Sequence, residues 1–242
     1  MFQLKFHMIR RHYLHFLLSL SSLLLLNSCT IFTHSYDSAT MLRKKQLEVQ
    51  GTYGYYPFFD DIGVLGIGGR LGYGVSDNYT IKLKAEAIQE VSKGRLNTRD
   101  FFFSFENKIK LPESMRKGLR QAISLDCQMY THKKLTGNLI LNYYAIGGSY
   151  YFTKTNETNT VDYSGICRIF YTNYNGYYTT YNDPFKNILM SYSIGIGLST
   201  NLDKWAIRPE FCFSPFPSIG IGLTYKIGGN SDDDTSNIPS NR

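Results

Sequence analysis

From residue 46 to residue 227 apolar residues alternate one by one with small or polar ones, and the pattern breaks only at short intervals. A chain with a period of two can gather its apolar residues on one side only as β-strand, because successive strand side chains point to opposite faces. In 218–227, Ile219, Ile221, Leu223, Tyr225 and Ile227 alternate with Ser218, Gly220, Gly222, Thr224 and Lys226. In 188–199, Ile188, Met190, Tyr192, Ile194, Ile196 and Leu198 oppose Leu189, Ser191, Ser193, Gly195, Gly197 and Ser199. The same period recurs in 46–56, 62–75, 78–90, 100–111, 121–131, 138–153, 161–172 and 203–214, which predicts ten strands. The 20 Tyr and 16 Phe suit strands, and the 21 Gly suit turns and tightly curved sheet.

The contents of the two faces choose between kinds of barrel. One face collects Leu65, Ile67, Leu71, Tyr73, Ile81, Leu83, Phe101, Phe103, Phe105, Ile123, Leu125, Met129, Ile207, Phe211 and Phe213. The other collects Glu48, Arg70, Lys82, Lys84, Glu86, Glu106, Lys108, Lys110, Asp126, Arg168, Arg208, Glu210 and Lys226. A soluble barrel hides its apolar face inside, whereas a membrane barrel turns it outward to lipid. The expected fold is therefore all-β: a single closed antiparallel up-and-down transmembrane barrel of ten strands, an even number, its lumen filled by a charge network that pairs internally. The strands reach the roughly 10 residues that a tilted strand needs to cross hydrocarbon. The longish connection 112–120 leaves eight strands as an alternative, and a soluble lipocalin-like barrel with swapped faces is the other.

Ahead of the strands lies an export signal. Lys5, Arg10 and Arg11 precede the apolar run 13–26, and Leu26-Asn27-Ser28-Cys29 closes it with small residues before a cysteine. That order predicts a lipoprotein signal peptide over 1–28 and lipid attachment at Cys29. The apolar run is shorter than the roughly 20 residues of a membrane-spanning helix. The expected organisation continues with a lipid-anchored tether at 29–44, where no period is visible, a barrel domain at 45–228 and a polar tail at 229–242 containing Asp232, Asp233 and Asp234. With the amino terminus held at the inner leaflet, the short turns at 76–78 and 200–203 are expected on the periplasmic side and the long connections 91–99 and 173–186 outside. Removing the signal peptide takes away three basic residues and no acidic ones. The remaining positive excess is mild and does not argue for nucleic acid. Cys127, Cys167 and Cys212 are an odd number. Cys127 and Cys167 sit two strands apart, near 10 Å at about 4.8 Å per strand, too far for a disulfide, so buried apolar thiols are expected.

Ser28-Cys29, the strand start Lys45–Gln50, the hairpin LGYGVSDNYTIKLKAEA at 71–87 and the closing pair 188–200 and 217–227 together resemble small outer-membrane β-barrel lipoproteins of Gram-negative bacteria. The resemblance covers most of the chain. It implies place and fold, and no agreed activity. The polar tail departs from the aromatic last residue of many outer-membrane barrels, which bears on recognition by the barrel-assembly machinery, an expected partner.

Catalytic motifs are not evident. Gly66-Ile67-Gly68-Gly69 lacks the following helix of a nucleotide loop, and its glycines are read as lumen-side residues that permit curvature. There is no GxSxG, HExxH or close histidine set, so no catalytic residue, metal or cofactor is expected. One ten-stranded barrel family contains rim proteases with Asp and His, so His132 is set against Asp60 and Asp61 as a rim-enzyme alternative; a lone loop histidine is more simply solvated. Tyr174, Tyr177, Tyr178 and Tyr181, close to Tyr171, are candidate ligand contacts or sheet above the membrane. Lys93, Arg95, Arg99, Lys133 and Lys134, expected on outer loops, would meet membrane lipids and lipopolysaccharide. The expected role is structural or surface-interactive and non-enzymatic, in the bacterial outer membrane. A small channel or ligand carrier, or a tethered periplasmic binding barrel, stands as the alternative.

Overall fold

The computed structural model describes residues 34–57, 62–92, 95–112, 118–133, 140–175, 188–214 and 216–229. Ten strands account for most of them: β1 (Leu47–Pro57), β2 (Ile62–Ser76), β3 (Tyr79–Ser92), β4 (Arg95–Lys110), β5 (Leu119–Lys133), β6 (Ile140–Thr155), β7 (Val161–Asn175), β8 (Ile188–Leu198), β9 (Trp205–Ser214) and β10 (Phe216–Ile227). Each pairs antiparallel with its sequence neighbours, and β1 pairs with β10 from Leu47↔Ile227 to Tyr55↔Ile219, closing the sheet. Closure leaves no edge strand with unpaired backbone groups. The ten-strand expectation holds, and the eight-strand alternative does not.

The wall is uneven. Strands β2 to β7 run to 14–16 residues, while β1 and β8 to β10 have 10–12. Since roughly 10 tilted residues cross a bilayer's hydrocarbon, the long strands carry extra height. That height absorbs Arg95 and Arg99 into β4 and Lys133 into β5, where loops were expected. Tyr171 and Tyr174 likewise fall within β7 rather than in a loop.

Outward positions are apolar: Leu83, Leu125, Ile169, Ile194, Ile219 and Leu223 are each more than half exposed. Tyr163 and Tyr171, both outward on β7, are eight residues apart, about 27 Å along a strand and about 21 Å along an axis tilted by ~40°. Tyr73, Trp205 and Tyr225 sit at the Tyr163 end, and Tyr53, Tyr55 and Tyr144 toward the other. These are two aromatic girdles about an apolar band. Of the thiols expected to be buried, Cys212 is so, against the lumen, whereas Cys127 is exposed on the outward face and Cys167 is half-buried. All three are free.

The core lies inside the ring and is largely polar. Within the expected 29–44 tether, residues 34–42 run inside the lumen instead, where His34, Tyr36, Asp37, Ser38, Ala39 and Leu42 are all buried, and Arg43 and Lys44 are exposed. At the short-turn mouth the chain reverses into β1 through Lys45, whose φ of 63° makes the turn, with the Gln46 amide donating to the Arg43 carbonyl at 2.9 Å. An aperiodic segment forms no ladder, so its backbone groups have to find partners elsewhere. The lumen walls supply them.

Candidate functional site: a plugged, charge-filled lumen

Room for the plug comes from glycine. A Cβ at Gly74 would lie 2.0 Å from the Arg43 carbonyl oxygen, one at Gly220 2.3 Å from the Tyr36 hydroxyl, and one at Gly222 2.8 Å from the Tyr36 Cβ. Gly72 faces Leu42 at 3.2 Å. The lumen-side glycines of β2 and β10 thus make a slot that fits this segment.

The plug's backbone is then tied to the wall by side chains. The Leu42 amide donates to Thr80 Oγ1 at 3.3 Å and the Ala39 amide to Thr153 Oγ1 at 2.7 Å. Gln50 Nε2 donates to the Tyr36 carbonyl at 3.0 Å and Arg70 Nη1 to the Ser35 carbonyl at 2.7 Å. Lys84 Nζ donates to the His34 carbonyl, and Lys108 Nζ to that of Ser38. Tyr36 has a φ of 51°, a left-handed conformation that a bulky residue adopts only when held. Glu210 holds it: its two carboxylate oxygens accept the successive amides of Ser35, at 2.9 Å, and Tyr36. The Tyr36 hydroxyl donates to the Tyr53 carbonyl at 2.7 Å.

Charge organises the same space. Asp37 of the plug lies 2.9 Å from Lys82 Nζ, 2.9 Å from Lys108 Nζ and 3.5 Å from Arg70 Nη1. Glu48 bridges Arg70 and Lys82, each at 3.1 Å. Glu86 pairs with Lys84 at 2.8 Å and accepts from Thr52 Oγ1 at 2.8 Å. Arg168 meets Glu210 at 3.2 Å. Arg208 grips Asp162 with two hydrogen bonds, of 2.7 and 2.6 Å. Ser124 and Ser149 donate to Asp126. Of the residues expected on the charged lumen face from Glu48 to Glu210, all are buried inside the ring, Glu106 included, except Lys110, which is exposed at the end of β4. Sequence reasoning missed Asp37 and Asp162, the first because it belongs to no strand.

The lumen has little free volume at this level. A cavity of about 30 Å³ remains beside the plug among His34, Lys84, Glu106, Asp126 and Arg168, room for two or so waters. At the short-turn mouth a polar hollow of about 530 Å³ opens below the plug, lined by Met41, Arg43, Arg120, Glu157 and Asp203 among others. No group of three or more His, Cys, Asp or Glu side chains fit to hold a metal occurs among the described residues.

His132 pairs with Asp100 across β4 and β5, while Asp60 and Asp61 lie outside the described residues. Tyr177, Tyr178 and Tyr181 also lie outside them, as do Lys93, Lys134 and Cys29. Tyr174 pairs with Tyr143 across β6 and β7, and Tyr171 is 52% exposed on the outward face. Tyr171 and Tyr174 continue the sheet within β7.

No family model matches this sequence, and no curated protein does. Among solved structures the chain is similar to the N-terminal β-barrel domain of Pseudomonas aeruginosa OprF, with a TM-score of 0.38 and 10% identity over 76% of this chain and 98% of that one. It is also similar to LpxR from Salmonella typhimurium, with a TM-score of 0.38 and 7% identity over 74% and 99% of the two chains. For the KdgM porin the TM-score is 0.36, with 9% identity over 75% and 99%. The barrel assignment itself stands on the unbroken ring of strand pairing, and the candidate site is the interior of that ring, packed with its own side chains and backbone.

Proposed function

We propose that this protein is an outer-membrane barrel lipoprotein, attached through Cys29, whose lumen is sealed and whose role is structural or surface-interactive rather than catalytic or conductive. The observation that carries the reading is the buried plug at 34–42. A narrow ten-stranded barrel is already largely filled by side chains, and here a chain segment fixed by wall hydrogen bonds and ion pairs occupies what is left. An apolar band between aromatic girdles, with charge confined inside, is the arrangement lipid demands. The longer wall from β2 to β7, which rises past the girdle at Tyr171, supports a contact surface raised above the bilayer, where lipopolysaccharide is the nearest partner.

Conductance of the purified protein in a planar bilayer tests this. A sealed barrel inserts and gives no unitary steps at either polarity. Regular ohmic steps from the intact chain would replace the reading with that of a small channel or ligand carrier.

A further inference from the structure

The course of the plug decides where its free end leaves the barrel. Followed backwards from the short-turn mouth, the segment climbs β3 in order: Lys44 at the Asp77 turn, Leu42 beside Thr80, Asp37 beside Lys82, His34 beside Lys84. The same climb is seen on β10, from Gly222 under Tyr36 to Ser218, whose hydroxyl lies 3.2 Å from His34 Nε2. Ser218 is two residues from Phe216, where β10 begins. His34 therefore sits near the far rim on the side where the wall is short.

Building on the reading of Cys29 as the lipid-attachment residue, we propose that the acylated amino terminus emerges at the end of the barrel that carries the long connections, over the short wall at β9, β10 and β1. The anchor then enters the leaflet on the same side as the 176–187 connection, opposite the 199–204 turn. Cys29 precedes His34 by five residues, which span at most about 17 Å. The way back to the short-turn mouth, from Lys84 to Asn78, is about 20 Å along β3 and about 15 Å along an axis tilted by ~40°, so length alone does not close it. Packing closes it: Tyr36, Leu42 and Lys108 are at most 2% exposed, and the cavity beside the plug has room for two or so waters, not for a second pass of chain. In the other direction, about two residues' rise separates Ser218 from the start of β10, so five residues clear the rim with length to spare. The expectation that the anchor holds the short turns on its own side is replaced: the anchor and the long connections share a side. By the usual orientation of such barrels, with long connections outward, that side is the cell surface.

The experiment places one short epitope in three separate full-length proteins: after Thr30, after Thr180 in the β7 to β8 connection, and after Asn201 in the short turn. Each is probed by antibody on intact and on permeabilised cells, with palmitate labelling of the same cells and a boiling-dependent gel shift to confirm that the barrel is assembled. The epitopes after Thr30 and Thr180 are expected to respond alike, and the one after Asn201 oppositely. An epitope after Thr30 that is reached only together with the one after Asn201 overturns the proposal. Palmitate labelling separates the premise from the inference: an unlabelled protein with the expected epitope pairing removes the lipid from the account and keeps the threading, whereas a labelled protein with Thr30 and Asn201 on one side removes the threading and keeps the lipid.

Discussion

Single residues in this lumen are consequential because each charge is surrounded by others and by little water. Asp37 is a counter-ion to three cations at once, Lys82, Lys108 and Arg70. Removing one partner of a buried ionic cluster leaves the others uncompensated, which typically costs about 3–5 kcal/mol. Asp37→Ala is expected to lower the urea midpoint of the compact, unboiled gel band by a corresponding amount, and an unchanged midpoint would show that the plug does not neutralise the wall. Glu210 carries a different load. Its carboxylate fixes the left-handed turn at Tyr36 through two amides and also balances Arg168. Glu210→Ala is expected to make the 34–44 segment open to protease while the strands stay protected. That outcome, read by mass spectrometry of the released peptides, distinguishes a loosened plug from an unfolded barrel.

At the scale of elements the strands were legible and the plug was not. Strands announce themselves because each face repeats the same environment along its length, lipid on one side and lumen on the other, so the period of two survives in residues such as Ile219, Ile221 and Leu223. The plug meets a different partner at every residue, so no period can appear in 34–44. Its traces lie in the wall. Gly72, Gly74, Gly220 and Gly222 share the lumen side of two strands, a slot that curvature alone does not call for. Arg70 lies directly opposite Lys84 across β2 and β3, a like-charge pair that needs an anion from elsewhere. That clue needs the register, which the sequence does not state. The ends of the long strands were misread as loops because polar residues above an apolar band look like connection. Two predictions belong here. Gly220→Ala puts a methyl group against the Tyr36 ring, which is held by its hydrogen bond to Tyr53 and cannot swing away, so a loss of about 1–3 kcal/mol is expected from overpacking, and Tyr36→Ala in the same chain should relieve it. On the outward face, Leu83→Arg should cost about 2–4 kcal/mol if that position sits near the bilayer midplane, measured as refolding equilibrium into lipid vesicles. A cost near zero there would place water rather than lipid against the band.

For the molecule as a whole, the wall and the plug divide the work. The ring of backbone pairing and the apolar belt make a barrel that stands in hydrocarbon, while the amino-terminal segment makes it solid. Replacing residues 34–42 with a glycine and serine linker of equal length should therefore keep the ten strands and open a polar path, seen as new unitary conductance where the intact chain is silent. The central claim, a closed barrel with lipid outside and charge within, is tested most directly by the gel mobility of the membrane-extracted protein before and after boiling. The account predicts a compact, fast-migrating band in detergent that shifts to slower mobility on heating. A single unshifted band, from a protein that becomes soluble without detergent once Cys29 is replaced, would contradict it.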